Sequence, residues 1–240
     1  MVIGSSANTN PCPGDNYFIV IVAAGSGSRF GSDVPKQFLE LRGKTVLQYA
    51  IDTFKQTLPG AEVIVVLSPS GKEIWHDICH EKGYELSTIV IGGASRTESV
   101  HNALKSIADR VNSRSVVMIH DGARPLVSAA MIERVAQAFD NESTEAVVPV
   151  VALTEAIASY DADTVTPTDR ANYRTVQTPQ AFRAEILEAA YSNIGDAEMP
   201  DDAAAYTAFT GRRINIVEGE YANIKITNPR DLLIADILMK

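Results

Sequence analysis

Phe18-Ile19-Val20-Ile21-Val22 is an unbroken apolar run in which every residue after Phe18 is β-branched. A strand of this kind has no polar face to give to water, so both of its faces must be covered. The pattern returns in Glu62-Val63-Ile64-Val65-Val66-Leu67, Thr88-Ile89-Val90-Ile91, Val116-Val117-Met118-Ile119 and Ala146-Val147-Val148-Pro149-Val150. Helical stripes lie between these runs. Val46, Leu47, Ala50, Ile51 and Phe54 share one face, and Val100, Ala103, Leu104 and Ile107 share another. Thr45 with Gln48 three residues later fits a capping box, and Asn228-Pro229 opens a final helix with a good cap and first turn. Strands alternating with helices predict an α/β fold on a mostly parallel sheet. With no repeat, low-complexity segment or linker, residues 17–240 read as a single domain.

The charge balance narrows the function. Lys and Arg number 21 against 30 Asp and Glu, a net charge of −9, so a nucleic-acid or anionic-membrane partner is not expected. Cys12 and Cys79 cannot form a disulfide framework, and no Cys-x-x-Cys is present for zinc or redox work. The longest apolar run, Phe18 to Ala24, is too short to span a bilayer. Met1 to Asn16 are polar and lack the basic start and apolar core of a signal peptide, which predicts a loose tail on a cytoplasmic protein.

Val151 to Tyr173 breaks the alternation. Thr, Asp and Pro are scattered there among short β-branched pieces, with no helical stripe. The composition predicts a projecting β-arm, with a long surface loop as the plain alternative.

In a parallel sheet the loops at the carboxyl ends of the strands carry the ligand. The first run leads into Ala23-Ala24-Gly25-Ser26-Gly27-Ser28-Arg29-Phe30-Gly31, then Pro35-Lys36-Gln37. Small residues let a backbone close on a ligand, and successive N–H groups cradle phosphate oxygens. The spacing is neither Gly-x-Gly-x-x-Gly nor a P-loop, but Arg29 and Lys36 flanking it suggest a triphosphate. A glycine-rich turn with solvated charges is the alternative. The fourth run ends in His120-Asp121-Gly122-Ala123-Arg124-Pro125. Asp121 is a candidate Mg²⁺ ligand, since Mg²⁺ takes one or two carboxylates plus phosphate oxygens and waters. Arg124 could grip a phosphate bidentately or pair with Asp121 to close the turn. Gly92-Gly93-Ala94-Ser95-Arg96 and Ser99 suit a base or ribose, or a tight turn and helix cap, with Arg96 either holding a phosphate or bracing the loop. Asn223-Ile224-Lys225-Ile226-Thr227 reads as a strand with Lys225 turned away from its apolar neighbours, either solvated or aimed at the site. Cations gathered in an acidic protein point to small anionic ligands.

These pieces in this order, together with Thr178-Pro179-Gln180-x-Phe182, resemble the 2-C-methyl-D-erythritol 4-phosphate cytidylyltransferases from about Phe18 onward. The resemblance implies a three-layer, Rossmann-like nucleotidyltransferase fold. It also implies transfer of CMP from CTP to 2-C-methyl-D-erythritol 4-phosphate, with CTP as co-substrate and Mg²⁺ as cofactor. Arg29, Lys36 and Lys225 would be catalytic. Ala23, Ala24, Gly25, Gly27, Gly93, Arg96 and Ser99 would bind the nucleotide, and Asp121 would hold the metal. Asp121, Arg124, Thr154, Arg170 and Thr178 would meet the polyol phosphate. Residues 151–173 match a dimerisation arm exchanged between the subunits of a homodimer, with Arg170 and Thr154 serving the partner's site. Ala94, Gly122 and Ala222 stand where some members carry other residues. A phosphate nucleophile needs no general base, so His120 is expected to be structural. Ribitol-5-phosphate cytidylyltransferase is the nearest alternative, and a non-catalytic nucleotide-binding module is the alternative from another class.

Overall fold

The computed structural model describes residues 16–25, 34–85, 87–195 and 197–239. In chain order the elements are β1 (Tyr17–Val22), β2 (Glu40–Leu41), β3 (Lys44–Thr45), α1 (Val46–Thr57), β4 (Glu62–Leu67), α2 (Pro69–Lys82), β5 (Thr88–Ile91), α3 (Arg96–Ile107), β6 (Val116–Asp121), α4 (Ala129–Gln137) and β7 (Ala146–Ala152). Then follow β8 (Ile157–Asp161), β9 (Thr164–Thr168), β10 (Arg174–Val176), β11 (Gln180–Arg183), α5 (Ala184–Asn193), α6 (Asp202–Thr210), β12 (Asn215–Glu218) and α7 (Pro229–Leu238). The apolar runs are all strands, as their lack of a polar face demands.

The main sheet runs β10-β7-β11-β6-β1-β4-β5, with β12 on the other side of β7. β6, β1, β4 and β5 are mutually parallel, and β12 is parallel to β7. β10 and β11 run antiparallel to β7 and are two pieces of one strand interrupted at Gln177–Pro179. Alternate residues of β1 feed two separate cores, because successive side chains leave opposite faces of a sheet. Ile19 and Ile21 pack under α1, α2 and α4, while Phe18 and Val20 pack under α3, α5 and α6. The result is the predicted three-layer, mostly parallel α/β fold.

Local signals hold where they were read. Thr45 and Gln48 cap α1 reciprocally, and Asn228 and Asp231 do the same for α7. Asn223–Thr227, read as a strand, is a correction. The segment is extended but joins no sheet, and its one ladder-like bond runs from Ile226 N–H to the Ala123 carbonyl, 2.8 Å. Ile224 and Ile226 were legible as apolar because they pack with Leu41, Val46 and α7, in a small core away from the sheet. Within 151–173, β8 and β9 form a hairpin hydrogen-bonded only to itself, followed by a short 3-10 turn over Arg170–Asn172. No helix of the described residues is long and apolar enough to cross a membrane.

Candidate functional site

A cleft of about 490 Å³ lies at the carboxyl ends of β1, β5 and β6. That is the size of a small-molecule site and the position a parallel sheet gives it. Three loops wall it, Ala23–Gly25, Gly93–Ser95 and Asp121–Ala123, with Lys36 and Lys225 arriving from outside the sheet. Gln37 fastens the first loop: its side-chain amide donates to the carbonyls of Ala23, 2.7 Å, and Gly25, 3.1 Å.

Asp121 closes β6 opposite Val22, on the same face as Val117 and Ile119, which is the face α3 covers. Its carboxylate is therefore brought to the start of α3. Lys225 Nζ lies 3.0 Å from it, Arg124 Nε 3.2 Å and Arg96 Nε 3.9 Å. Burial alone would push this carboxyl up, but Lys225, Arg96 and Arg124 together more than reverse that and hold it well below the usual carboxylate range. Asp121 is thus ionised at any working pH. Lys36, Arg96 and Lys225 stand against this one carboxylate among the described residues of the cleft wall.

Behind Asp121 runs a buried chain of hydrogen bonds. Asp121 N–H donates to Thr178 Oγ1, 3.1 Å, so the Thr178 hydroxyl proton is directed to His120 Nδ1, also 3.1 Å. His120 Nε2 donates to the Arg124 carbonyl, 3.2 Å, since a carbonyl can only accept. That places the single proton of the neutral ring on Nε2. Burial, the largest influence, pulls its pKa down to about 4. The Arg124 guanidinium spans from Asp121 to the Asn223 carbonyl, 2.8 Å, and so ties the segment that presents Lys225 to β6. The buried Asn223 amide donates to the Thr178 carbonyl, 2.9 Å.

The loop after β5 needs its glycines. A Cβ on Gly92 would press on Ala24 and Ser99, and one on Gly93 would collide with the Glu98 side chain. Ser99 Oγ accepts from Gly93 N–H, 3.1 Å, and donates to the Ser95 carbonyl, 2.8 Å, while Glu98 accepts from Ala94 N–H, 2.7 Å. Arg96 opens α3 and is held by Asp202 through Nη1, 3.1 Å, and Nη2, 2.6 Å. Burial works against its charge, and the Asp202 carboxylate more than offsets that, keeping the guanidinium firmly protonated.

The family model for 2-C-methyl-D-erythritol 4-phosphate cytidylyltransferase matches residues 17–240. The chain belongs to that family. A 2-C-methyl-D-erythritol 4-phosphate cytidylyltransferase of Porphyromonas gingivalis is 38% identical over 225 residues, covering 92% of this chain and 97% of the relative. One from Bacteroides fragilis is 37% identical over 221 residues, covering 92% and 98%. Among solved structures, the Francisella tularensis 2-C-methyl-D-erythritol 4-phosphate cytidylyltransferase superposes with TM-score 0.76 at 31% identity, covering 93% of this chain and 99% of that one. The 4-diphosphocytidyl-2C-methyl-D-erythritol synthase of Anaerococcus prevotii gives TM-score 0.77 at 28% identity, covering 94% and 96%.

The residues singled out from the sequence fall into four groups in this cytidylyltransferase. Ala23, Ala24, Gly25, Lys36, Gly93, Arg96, Ser99, Asp121 and Lys225 line the cleft together. Gly27 and Arg29 lie outside the described residues, as do residues 1–15 of the tail. Thr178 and Arg124 stand behind the wall, in contact with Asp121 from the rear. The turn-closing alternative for Arg124 is the one seen. Thr154 and Arg170 meet each other at the base of the hairpin, where Arg170 donates to the Thr154 carbonyl, and neither lines the cleft. Among Cys, His, Asp and Glu side chains of the described residues, no group of three converges as a metal site.

Two residues that hold the cleft wall in place were missed. Gln37 was passed over beside Lys36, although a glutamine next to an apolar Phe38 invites a search for its partners. Asp202 was passed over because Arg96 lies 106 residues away in sequence. Its signal was the doublet Asp201-Asp202 before an alanine-rich helix, since one Asp suffices as the cap.

Proposed function

We propose that this chain transfers CMP from CTP to 2-C-methyl-D-erythritol 4-phosphate, giving 4-diphosphocytidyl-2-C-methyl-D-erythritol and pyrophosphate. The observation that carries the reading is the cleft itself: Arg96 and Lys225 beside one ionised carboxylate, with Lys36 on the same wall, at the carboxyl ends of the sheet, in a chain that belongs to this family. A phosphate oxygen of the acceptor attacks the α-phosphorus of CTP in line, the new P–O bond forms, and the bond to the β-phosphate oxygen breaks with its electron pair leaving on pyrophosphate. Both reactants are anions, so the first task is to offset their repulsion, and the second is to stabilise charge developing on the α-phosphoryl and the leaving group. Lys36 and Lys225 meet both tasks as point charges, and Arg96 as a fixed positive charge whose fork is held by Asp202. The nucleophile is already ionised near neutrality, so no base is needed, which matches a His120 buried and neutral behind the wall.

The donor set fits Mg²⁺. Asp121 offers one carboxylate that stays ionised, and this ion takes one or two carboxylates with phosphate oxygens and water. When bound, the ion would neutralise phosphate charge beside Asp121. Arm exchange is the reading for residues 151–173. An isolated two-stranded hairpin is marginal in water, and Tyr160 and Val165 on it are 76% and 65% exposed, an apolar surface suited to a second copy. Arg170 and Thr154 then act in the partner's cleft.

The test is pyrophosphate release from CTP with methylerythritol 4-phosphate and with ribitol 5-phosphate in parallel, with Mg²⁺ and again after chelation. Release with the first acceptor, lost on chelation and restored by Mg²⁺, is expected. Release only with ribitol 5-phosphate would overturn the acceptor, and full rates after chelation would overturn the metal. For the arm, mixing Lys36→Ala and Arg170→Ala proteins should regenerate intact sites to about a quarter of the total by random pairing. No regain after subunit exchange would overturn sharing.

A further inference from the structure

Asp202 is fully buried and lies outside the cleft, yet it grips a residue of the cleft wall. Its carboxylate accepts Nη1 and Nη2 of Arg96 and also the Tyr191 hydroxyl, 2.6 Å. Asp202 is itself fixed. It sits in the first turn of α6, where the helix dipole favours a carboxylate and Asp201 is the cap. Gln180 bolts that turn to the sheet: its amide donates to Asp201 Oδ2, 3.0 Å, and its carbonyl accepts from Ala203 N–H, 2.9 Å. Gln180 pairs with Ile119 of β6, two residues before Asp121. A second tie joins Met199 N–H to Thr97 Oγ1, 3.0 Å, beside Arg96. The anchor of Arg96 and the carboxylate Asp121 are thus carried by the same pair of strands.

The arrangement also sets what Arg96 can do. Its two Nη groups are committed to Asp202, so only the Nε edge faces Asp121, at 3.9 Å. A guanidinium released from that grip would close on Asp121 as a two-pronged pair, because its fork matches a carboxylate. Asp121 would then be withdrawn from Lys225. We propose that Asp202 is a positioning residue for cytidylyl transfer, holding Arg96 edge-on so that it neither collapses onto Asp121 nor swings out of the cleft. This rests on the cleft being the site of that transfer.

Asp202→Asn keeps the shape and removes one full acceptor charge. Steady-state kinetics with varied CTP should show kcat reduced about 10- to 100-fold, the scale of a misplacement near 1 Å. Adding the same change to Arg96→Gln should alter kcat by no more than about twofold, because the route of action is already gone. A role in folding alone would multiply the loss in both backgrounds. Arg96→Lys approaches the pair from the other side: it keeps the charge without the fork, and should lose kcat comparably. A kcat within twofold of wild type for Asp202→Asn or for Arg96→Lys, or equal losses with and without Arg96, would overturn the proposal. Absence of wild-type turnover would instead overturn the reaction itself, so the two failures are distinguishable.

Discussion

Lowering the pH from 7 to 5 should cost the fold stability through His120. The imidazole titrates at 6.5 when unfolded and at about 4 in the fold, where burial disfavours its charged form. Between those values the unfolded chain binds a proton that the folded chain refuses, so stability rises with pH there and is lost on acidification. From the two pKa values, the loss relative to full deprotonation is about 2 kcal/mol at pH 5 and about 0.2 kcal/mol at pH 7. The hydrogen bonds give the reason: protonated Nδ1 would face the Thr178 hydroxyl, whose own proton would then have no acceptor. Asp121 does not contribute in this window, because its depressed pKa matters only below the ordinary value of 3.8. The assay is urea unfolding at the two pH values. With an m-value of about 2–3 kcal/mol/M, the midpoint should fall by roughly 0.6–0.9 M. His120→Gln retains an amide donor for the Arg124 carbonyl and cannot titrate. His101, also lowered by burial, is present in both proteins and cancels. If His120→Gln loses as much stability between pH 7 and 5 as wild type, the assignment to His120 is wrong.

Lys36→Ala should fold normally and lose roughly 10²–10³ in kcat, the scale of removing one preorganised charge-stabilising group. Near-normal turnover would remove Lys36 from the mechanism. Gly93→Ala should raise the KM for CTP about tenfold by expelling Glu98 from Ala94 N–H, a loss of transition-state binding on the scale of one hydrogen bond to a charged group. Adding Glu98→Ala, which removes the same bond, should change that KM by no more than about twofold, and a double variant far worse than Gly93→Ala would refute the account.

The sheet was legible because its strands lack a polar face, and the α1 capping box because its two halves lie three residues apart. The cleft was legible because short loops after parallel strands must meet there. What escaped depended on contacts distant in sequence. Thr178 read as a substrate contact from the resemblance, and only the fold turns it against Asp121, 57 residues away. Ser99 does line the cleft, but its hydroxyl is taken up by Gly93 and Ser95. The alternation in Asn223–Thr227 mimicked a strand, because a chain pinned at Asn223 and Ile226 also turns alternate residues to opposite sides.

That pinned segment also sets an order of events during synthesis. At about 5–20 residues per second, Lys225 leaves the ribosome roughly 5–20 s after Asp121. During that interval the sheet from β1 to β6 is already available to fold, but Asp121 has Arg124 and neither Lys225 nor the Asp202 that steadies Arg96. Half of the main sheet, β1, β4, β5 and β6, is therefore available before the site has its full set of charges. A chain stopped short of Ile224 would keep every strand of the main sheet yet release no pyrophosphate.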